Sequence, residues 1–218
     1  TQAPVLSGVP SDVTVECDAV PAAANPTASD NCDPNPVITY NEVRTDGTCP
    51  NSYTLTRTWT ATDRCGNSSS ATQVITVEDT TPPAFNPPAS DMTVECDGAG
   101  NSAQLNAWLA SNGGASATDN CGSVTWSNNF NGLSDLCGAT GSATVTFTAT
   151  DDCGNKSTTT ATFTIEDTVP PTIDPEAKDK TVECDGAGNL NELNAWLADN
   201  GGARATDICG GVKWTNDF

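Results

Sequence analysis

Polar and apolar residues alternate along much of this chain with a period of two. From Tyr53 to Asp63, one face carries Leu55, Arg57, Trp59 and Ala61, and the other carries Thr54, Thr56, Thr58, Thr60 and Thr62. In 143–150 the faces are Val145, Phe147 and Ala149 against Thr144, Thr146 and Thr148. Such alternation predicts half-buried strands, and β-branched Thr suits their exposed pleat. Further strands are predicted over Val37–Arg44, Gln73–Glu78, Val124–Phe130 and Thr160–Glu166. Short strands separated by Gly, Asn, Asp and Pro predict an all-β fold of antiparallel sandwich modules. The period changes twice. Leu105, Trp108 and Leu109, and again Leu193, Trp196 and Leu197, fall at i, i+3, i+4 ahead of an Asn-Gly-Gly stop, predicting one short helix in each place. These tryptophans read as core packing, with a sugar-stacking platform as the other use of an indole.

The pattern repeats. Thr-Val-Glu-Cys-Asp occurs at Thr14–Asp18, Thr93–Asp97 and Thr181–Asp185, with periods of 79 and 88 residues. Each copy continues to an Asp-x-Cys element ending at Cys32, Cys121 or Cys209. Two go on to Ala-Thr-Asp-x-Cys-Gly-Asn (61–67 and 149–155) and to Glu-Asp-Thr-x-Pro-Pro (78–83 and 166–171). The second and third copies agree at 28 of the 38 positions from Thr93 to Phe130. The modules are expected at 1–81, 82–169 and 170–218. The third would be only the start of a module, and the whole a window on a longer array.

Composition narrows the function. The 218 residues include 28 acidic and 8 basic side chains, a net charge of −20, with 10 Cys and no His. That charge argues against nucleic acid and anionic membranes. The absence of His removes Ser-His and Cys-His catalysis and His-ligated zinc. An enzyme is further disfavoured because every candidate carboxylate pair recurs in each module. Cysteines spaced at least 15 residues apart in an acidic chain point to disulfides and export, with free thiols the other possibility.

The cysteine partners can be argued from strand symmetry. A hairpin of Val37–Arg44 with Tyr53–Asp63, turning near residue 48.5, sets Cys32 opposite Cys65. Cys121 and Cys153 are symmetric about 137 in the same way. The remaining pairs would be Cys17–Cys49 and Cys96–Cys137, at the other end of each module. Sequential pairing, Cys17–Cys32 and Cys49–Cys65, stays open.

The motifs TDNC, TATDxCGN and the closing EDTxPP resemble the hyalin repeat, an immunoglobulin-like module. They resemble still more the Cys-rich tandem repeats of giant surface adhesins of gliding, Bacteroidota-type bacteria. The resemblance covers the whole chain. It implies a long extracellular stalk or filament, exported by a dedicated system and partnered by neighbouring modules, by other copies in a fibre, or by a surface or glycan receptor. The helices depart from a plain hyalin repeat, which puts its usual second strand in doubt there.

In such a topology the acidic loops gather at module joints. The first joint would collect Glu78, Asp79, Asp91, Asp119 and Asp151 or Asp152, and the second Glu166, Asp167, Asp179 and Asp207. Crowded carboxylates repel unless a cation lies between them, and Ca²⁺ takes oxygen ligands of this kind. The other reading is ordinary Asp and Asn turn chemistry. Pro82-Pro83 and Pro170-Pro171 stiffen the joints. Asn67 and Asn155 sit in N-x-S sequences. Thr80 and Thr168 resemble the Asp-Thr-x signal for O-linked glycans, or simply end a strand. Trp126 and Trp214 are the candidate contacts if the array binds carbohydrate or protein.

Overall fold

The computed structural model describes residues 2–134 and 138–218. In the first repeat the strands are β1 (Val5–Ser7), β2 (Val13–Glu16), β3 (Thr27–Ser29), β4 (Val37–Asp46), β5 (Tyr53–Thr62) and β6 (Ser68–Glu78). The second repeat has β7 (Ala84–Phe85), β8 (Met92–Glu95), helix α1 (Ser102–Ala110), β9 (Ala117–Thr118), β10 (Val124–Asn128), β11 (Gly141–Asp151) and β12 (Lys156–Glu166). The third has β13 (Thr172–Ile173), helix α2 (Leu190–Ala198) and β14 (Ala205–Thr206).

The first two repeats share one topology. A four-stranded sheet runs β2-β6-β5-β4 in the first and β8-β12-β11-β10 in the second, and a short ribbon (β1-β3, then β7-β9) completes each. The early strand of each module pairs in parallel with its last one, Val13 with Ile75 and Met92 with Phe163. In the first sheet β5 pairs antiparallel with both β4 and β6. This is an immunoglobulin-like β-sandwich plan, as the alternation predicts. Along β5 the Leu55, Arg57, Trp59 and Ala61 face is buried and the Thr face is half-buried. Arg57 is tolerated inside because its guanidinium donates to Glu42 at 2.7 Å and to the Ala22 carbonyl.

Both predicted helices form. In α1, Leu105 and Trp108 are buried. The Trp108 ring meets Phe147 and Phe163 at 5.3 and 5.6 Å, and its indole N–H donates to the Ser90 carbonyl. Helix α2 buries no residue fully, whereas α1 has Phe147 of β11 and Phe163 of β12 against its Trp108. The Asn-Gly-Gly stops work as read: Gly113 and Gly201 adopt φ of 66° and 65°, a conformation open to glycine.

Two compact units emerge. The first comprises 1–88, 116–127 and 148–159, and the second 89–115, 128–147 and 160–218. The first unit therefore contains the first repeat together with the β9–β10 region and the β11–β12 turn of the second. Among the described residues, no helix is long and apolar enough to cross a membrane.

Candidate functional site: the repeat joints

Among the described residues, the cysteines join across repeats, not within them. Cys17 bonds Cys121 and Cys49 bonds Cys153 inside the first unit, with Cα–Cα distances of 6.0 and 5.1 Å. Cys96 bonds Cys209 inside the second, at 5.9 Å. Cys32, Cys65 and Cys184 are free and exposed, and Cys137 lies outside the described residues. The intramodule pairs expected from strand symmetry are thus replaced. The β4–β5 register contributes: Val37 pairs with Thr62, where a turn centred at 48.5 would have placed Thr60. The larger reason is stacking. The sequence correctly assigns Cys17 and Cys49 to one end of a module and the Cys32/Cys65 type to the other. Successive modules then bring unlike ends together, so each bridge crosses a joint.

The acidic side chains of the first joint sort themselves by their partners. Asp79 follows β6 and is 7% exposed, with both carboxylate oxygens buried and unpartnered. Asp119 offers one oxygen to the Cys121 N–H at 2.8 Å, while its Oδ2 is buried and unpartnered. An Asp79 oxygen, an Asp119 oxygen and the Cys121 sulfur all lie within 4.8 Å of one another. That sulfur is in a disulfide, which leaves oxygen as the ligand chemistry. Burial pushes the Asp79 carboxyl above its ordinary range, and the charges of Asp119, Asp151 and Glu16 add to the rise. The Thr81 amide offsets part of that rise but falls outside hydrogen-bond geometry.

Asp151 is buried too, but well satisfied. Its oxygens accept the Cys153 and Asn155 N–H groups and the Asn155 side-chain amide, each at 2.8 Å. Burial works against its charge, yet the bonds from Asn155 and from the Cys153 and Gly154 N–H groups together outweigh it and hold the carboxyl below the ordinary range. The same Asn155 amide donates to the Asp79 carbonyl at 2.9 Å. Asn155 thus clamps the end of the first repeat to the β11–β12 turn of the second.

Other expected ligands go elsewhere. Asp152 accepts from the Ser123 N–H and hydroxyl, and Asp91 accepts the Thr162 N–H in the second unit. Glu78 and Glu166 are exposed ends of β6 and β12. At the second joint, oxygens of Asp167 and Asp207 approach with the Cys209 sulfur, again within 4.8 Å, but Asp167 is exposed. Asp179 is exposed and has no place in that cluster.

Thr80 and Thr168 are exposed, as a modification site requires, but each is held by the Glu of Thr-Val-Glu-Cys-Asp. Thr80 donates its N–H (3.1 Å) and its hydroxyl to Glu16, and Thr168 donates both to Glu95 at 2.8 Å. The Thr168 groups hold the Glu95 carboxyl below its ordinary range. This clasp on each linker was not foreseen from the sequence, although Glu and Thr recur in both motifs. Trp126 packs on Phe85 at 5.9 Å and Trp214 is 36% exposed.

Residues 6–77 match the HYR-like domain with 4 cysteines. The hyalin-repeat likeness of the sequence therefore holds for this stretch, which takes in Cys17, Cys32, Cys49 and Cys65. No curated protein matches the chain. Among solved structures, the chain is similar to Drosophila N-cadherin EC1-4 (12% identity, 76% of this chain and 50% of that one, TM-score 0.31). It is also similar to human CDH23 EC21-23 (18%, 84% and 77%, 0.32) and to the Ig1-2 module of the Drosophila receptor protein tyrosine phosphatase DLAR (11%, 76% and 100%, 0.27). The chain thus spans half the length of the N-cadherin fragment.

Proposed function

We propose that this chain is a shaft segment of a secreted or cell-surface bacterial adhesin or filament, made of HYR-like modules (1–81, 82–169 and the start of a third) whose joints are locked covalently and bridged by calcium. The observation that carries the reading is the set of three disulfides crossing repeat boundaries. A bridge inside a module protects that module. A bridge across a joint passes load from one module to the next without relying on the linker.

The calcium reading rests on orphaned oxygens. Three buried carboxylate oxygens on Asp79 and Asp119 have no hydrogen-bond donor, and hard oxygen donors fit Ca²⁺. Asp79 and Asp119 would hold the cation, with the well-satisfied Asp151 behind them. Bound there, it would offset both the burial and the neighbouring carboxylate charges that raise the Asp79 pKa. Asp167 and Asp207 are the weaker counterpart at the second joint.

Force extension of the full chain tests the shaft reading. With the three bridges closed, the shortest covalent route runs from residue 1 to Cys17, across to Cys121, back to Cys96, across to Cys209 and on to Phe218. Its steps of 16, 25 and 9 residues make about 50. At ~3.5 Å per residue the oxidised chain should extend to ~175 Å, against ~760 Å once reduced. Intramodule bridges would instead leave ~500 Å. An oxidised chain extending to the two longer values would overturn the proposal.

A further inference from the structure

The free cysteines are not scattered. Cys32 occupies the repeat position of Cys121 and Cys209, and Cys65 that of Cys153. Each of those three counterparts is bonded to the Cys17-type or Cys49-type cysteine of another repeat. The loops around the free thiols are already built like the bonded ones. The Cys32 and Cys65 N–H groups donate to Asp30 and Asp63 at 2.8 Å, as Cys121, Cys153 and Cys209 do to Asp119, Asp151 and Asp207. Asp30 also keeps its Oδ2 buried and unpartnered, as does Asp119, a member of the cluster with Asp79. So the first repeat presents, unused, the same half-joint that the second repeat uses.

We infer that Cys32 and Cys65 are a covalent acceptor pair for another HYR-like module, whose Cys17-type and Cys49-type thiols they bond while its Asp79-type carboxylate comes to Asp30. Cys184, exposed and at the repeat position of Cys17 and Cys96, is the donor half of the same ladder, matched to a Cys32-type partner. Each bridge forms when two thiols lose two protons and two electrons. A disulfide oxidant accepts both electrons; with oxidised glutathione, one molecule becomes two of reduced glutathione per bridge formed. Two such oxidations close the half-joint.

The test lengthens the full chain by a copy of residues 1–79, carrying Cys32→Ser and Cys65→Ser in the copy alone, placed directly before residue 1, which preserves the 79-residue period. Both the original and lengthened chains are refolded in a glutathione buffer, alkylated, and digested without reduction for mass spectrometry. In the original chain Cys32 and Cys65 should carry the alkyl label. In the lengthened chain the added Cys17 and Cys49 should appear bonded to Cys32 and Cys65. The Cys17–Cys121 peptide in the same digest reports that the existing joint has folded. A Cys32–Cys65 peptide in either chain, or alkylated Cys32 and Cys65 in a lengthened chain containing the Cys17–Cys121 peptide, would overturn the inference. If the lengthened chain fails to fold, bridging of Cys32 to Cys65 in the original chain remains the refuting result and their alkylation the supporting one.

Discussion

Asp79→Asn removes one charge from the first joint while keeping the side chain's size. In the wild type an Asp79 oxygen lies within 4.8 Å of an Asp119 oxygen. Two unit charges at that distance repel by about 1 kcal/mol at the dielectric of water and about 3 kcal/mol at an effective value near 20. Asp119 is only half-buried, so the lower figure governs. For a chain of this size, about 1 kcal/mol moves Tm by roughly 2–4 °C. In chelator at pH 7 the variant should therefore melt that much above wild type. Calcium should reverse the order: wild type gains by mass action, about 2.7 kcal/mol at a hundredfold excess over Kd, and the variant gains little. The sign with pH follows from the raised Asp79 pKa. The folded chain holds that proton more tightly than the unfolded one. Its contribution is complete below the ordinary carboxylate range and is lost as pH rises through the folded pKa. In chelator, the advantage of the variant should thus be small in acid and grow as pH rises. Melts of both proteins from pH 4 to 8, with calcium and with chelator, make the comparison. A variant that melts below wild type in chelator at pH 7, with equal calcium responses in the two proteins, would refute the reasoning.

Two further substitutions separate neighbouring roles. Asn155→Ala strips donors from the Asp79 carbonyl and the buried Asp151 and should cost about 1–3 kcal/mol by urea unfolding. Asn67→Ala, whose counterpart amide serves Asp63 alone, should cost less, and an equal loss would remove the clamp. Trp108→Ala should cost about 3–5 kcal/mol because Phe147 and Phe163 surround the ring. Trp196→Ala, in the half-exposed equivalent, should cost less than half of that, and equal losses would contradict the difference in burial between α1 and α2.

Strand alternation made the sheets legible, and the Leu105/Trp108 spacing with Asn-Gly-Gly made the helices legible, because both patterns report which face is buried. The acidic joint was half legible: Asp79, Asp119 and Asp151 meet, whereas Asp91 and Asp152 are taken by the N–H groups of Thr162 and Ser123, 71 and 29 residues away, which no spacing reveals. The disulfide partners were not legible, for a reason inherent in tandem repeats. Cys17 could bond within its own module or across a joint using the same residue types, so the sequence is degenerate between the two. Only the stacking of unlike module ends separates them. The Glu16–Thr80 and Glu95–Thr168 clasps were hidden likewise, since their motifs lie 64 and 73 residues apart.

Cross-joint bonding is the central claim, and a disulfide map of the oxidised 218-residue chain tests it most directly. Digestion without reduction should yield Cys17–Cys121, Cys49–Cys153 and Cys96–Cys209 peptides, with Cys32 and Cys65 alkylated. Peptides joining Cys32 to Cys65 and Cys121 to Cys153 would place the bridges inside modules and contradict the account.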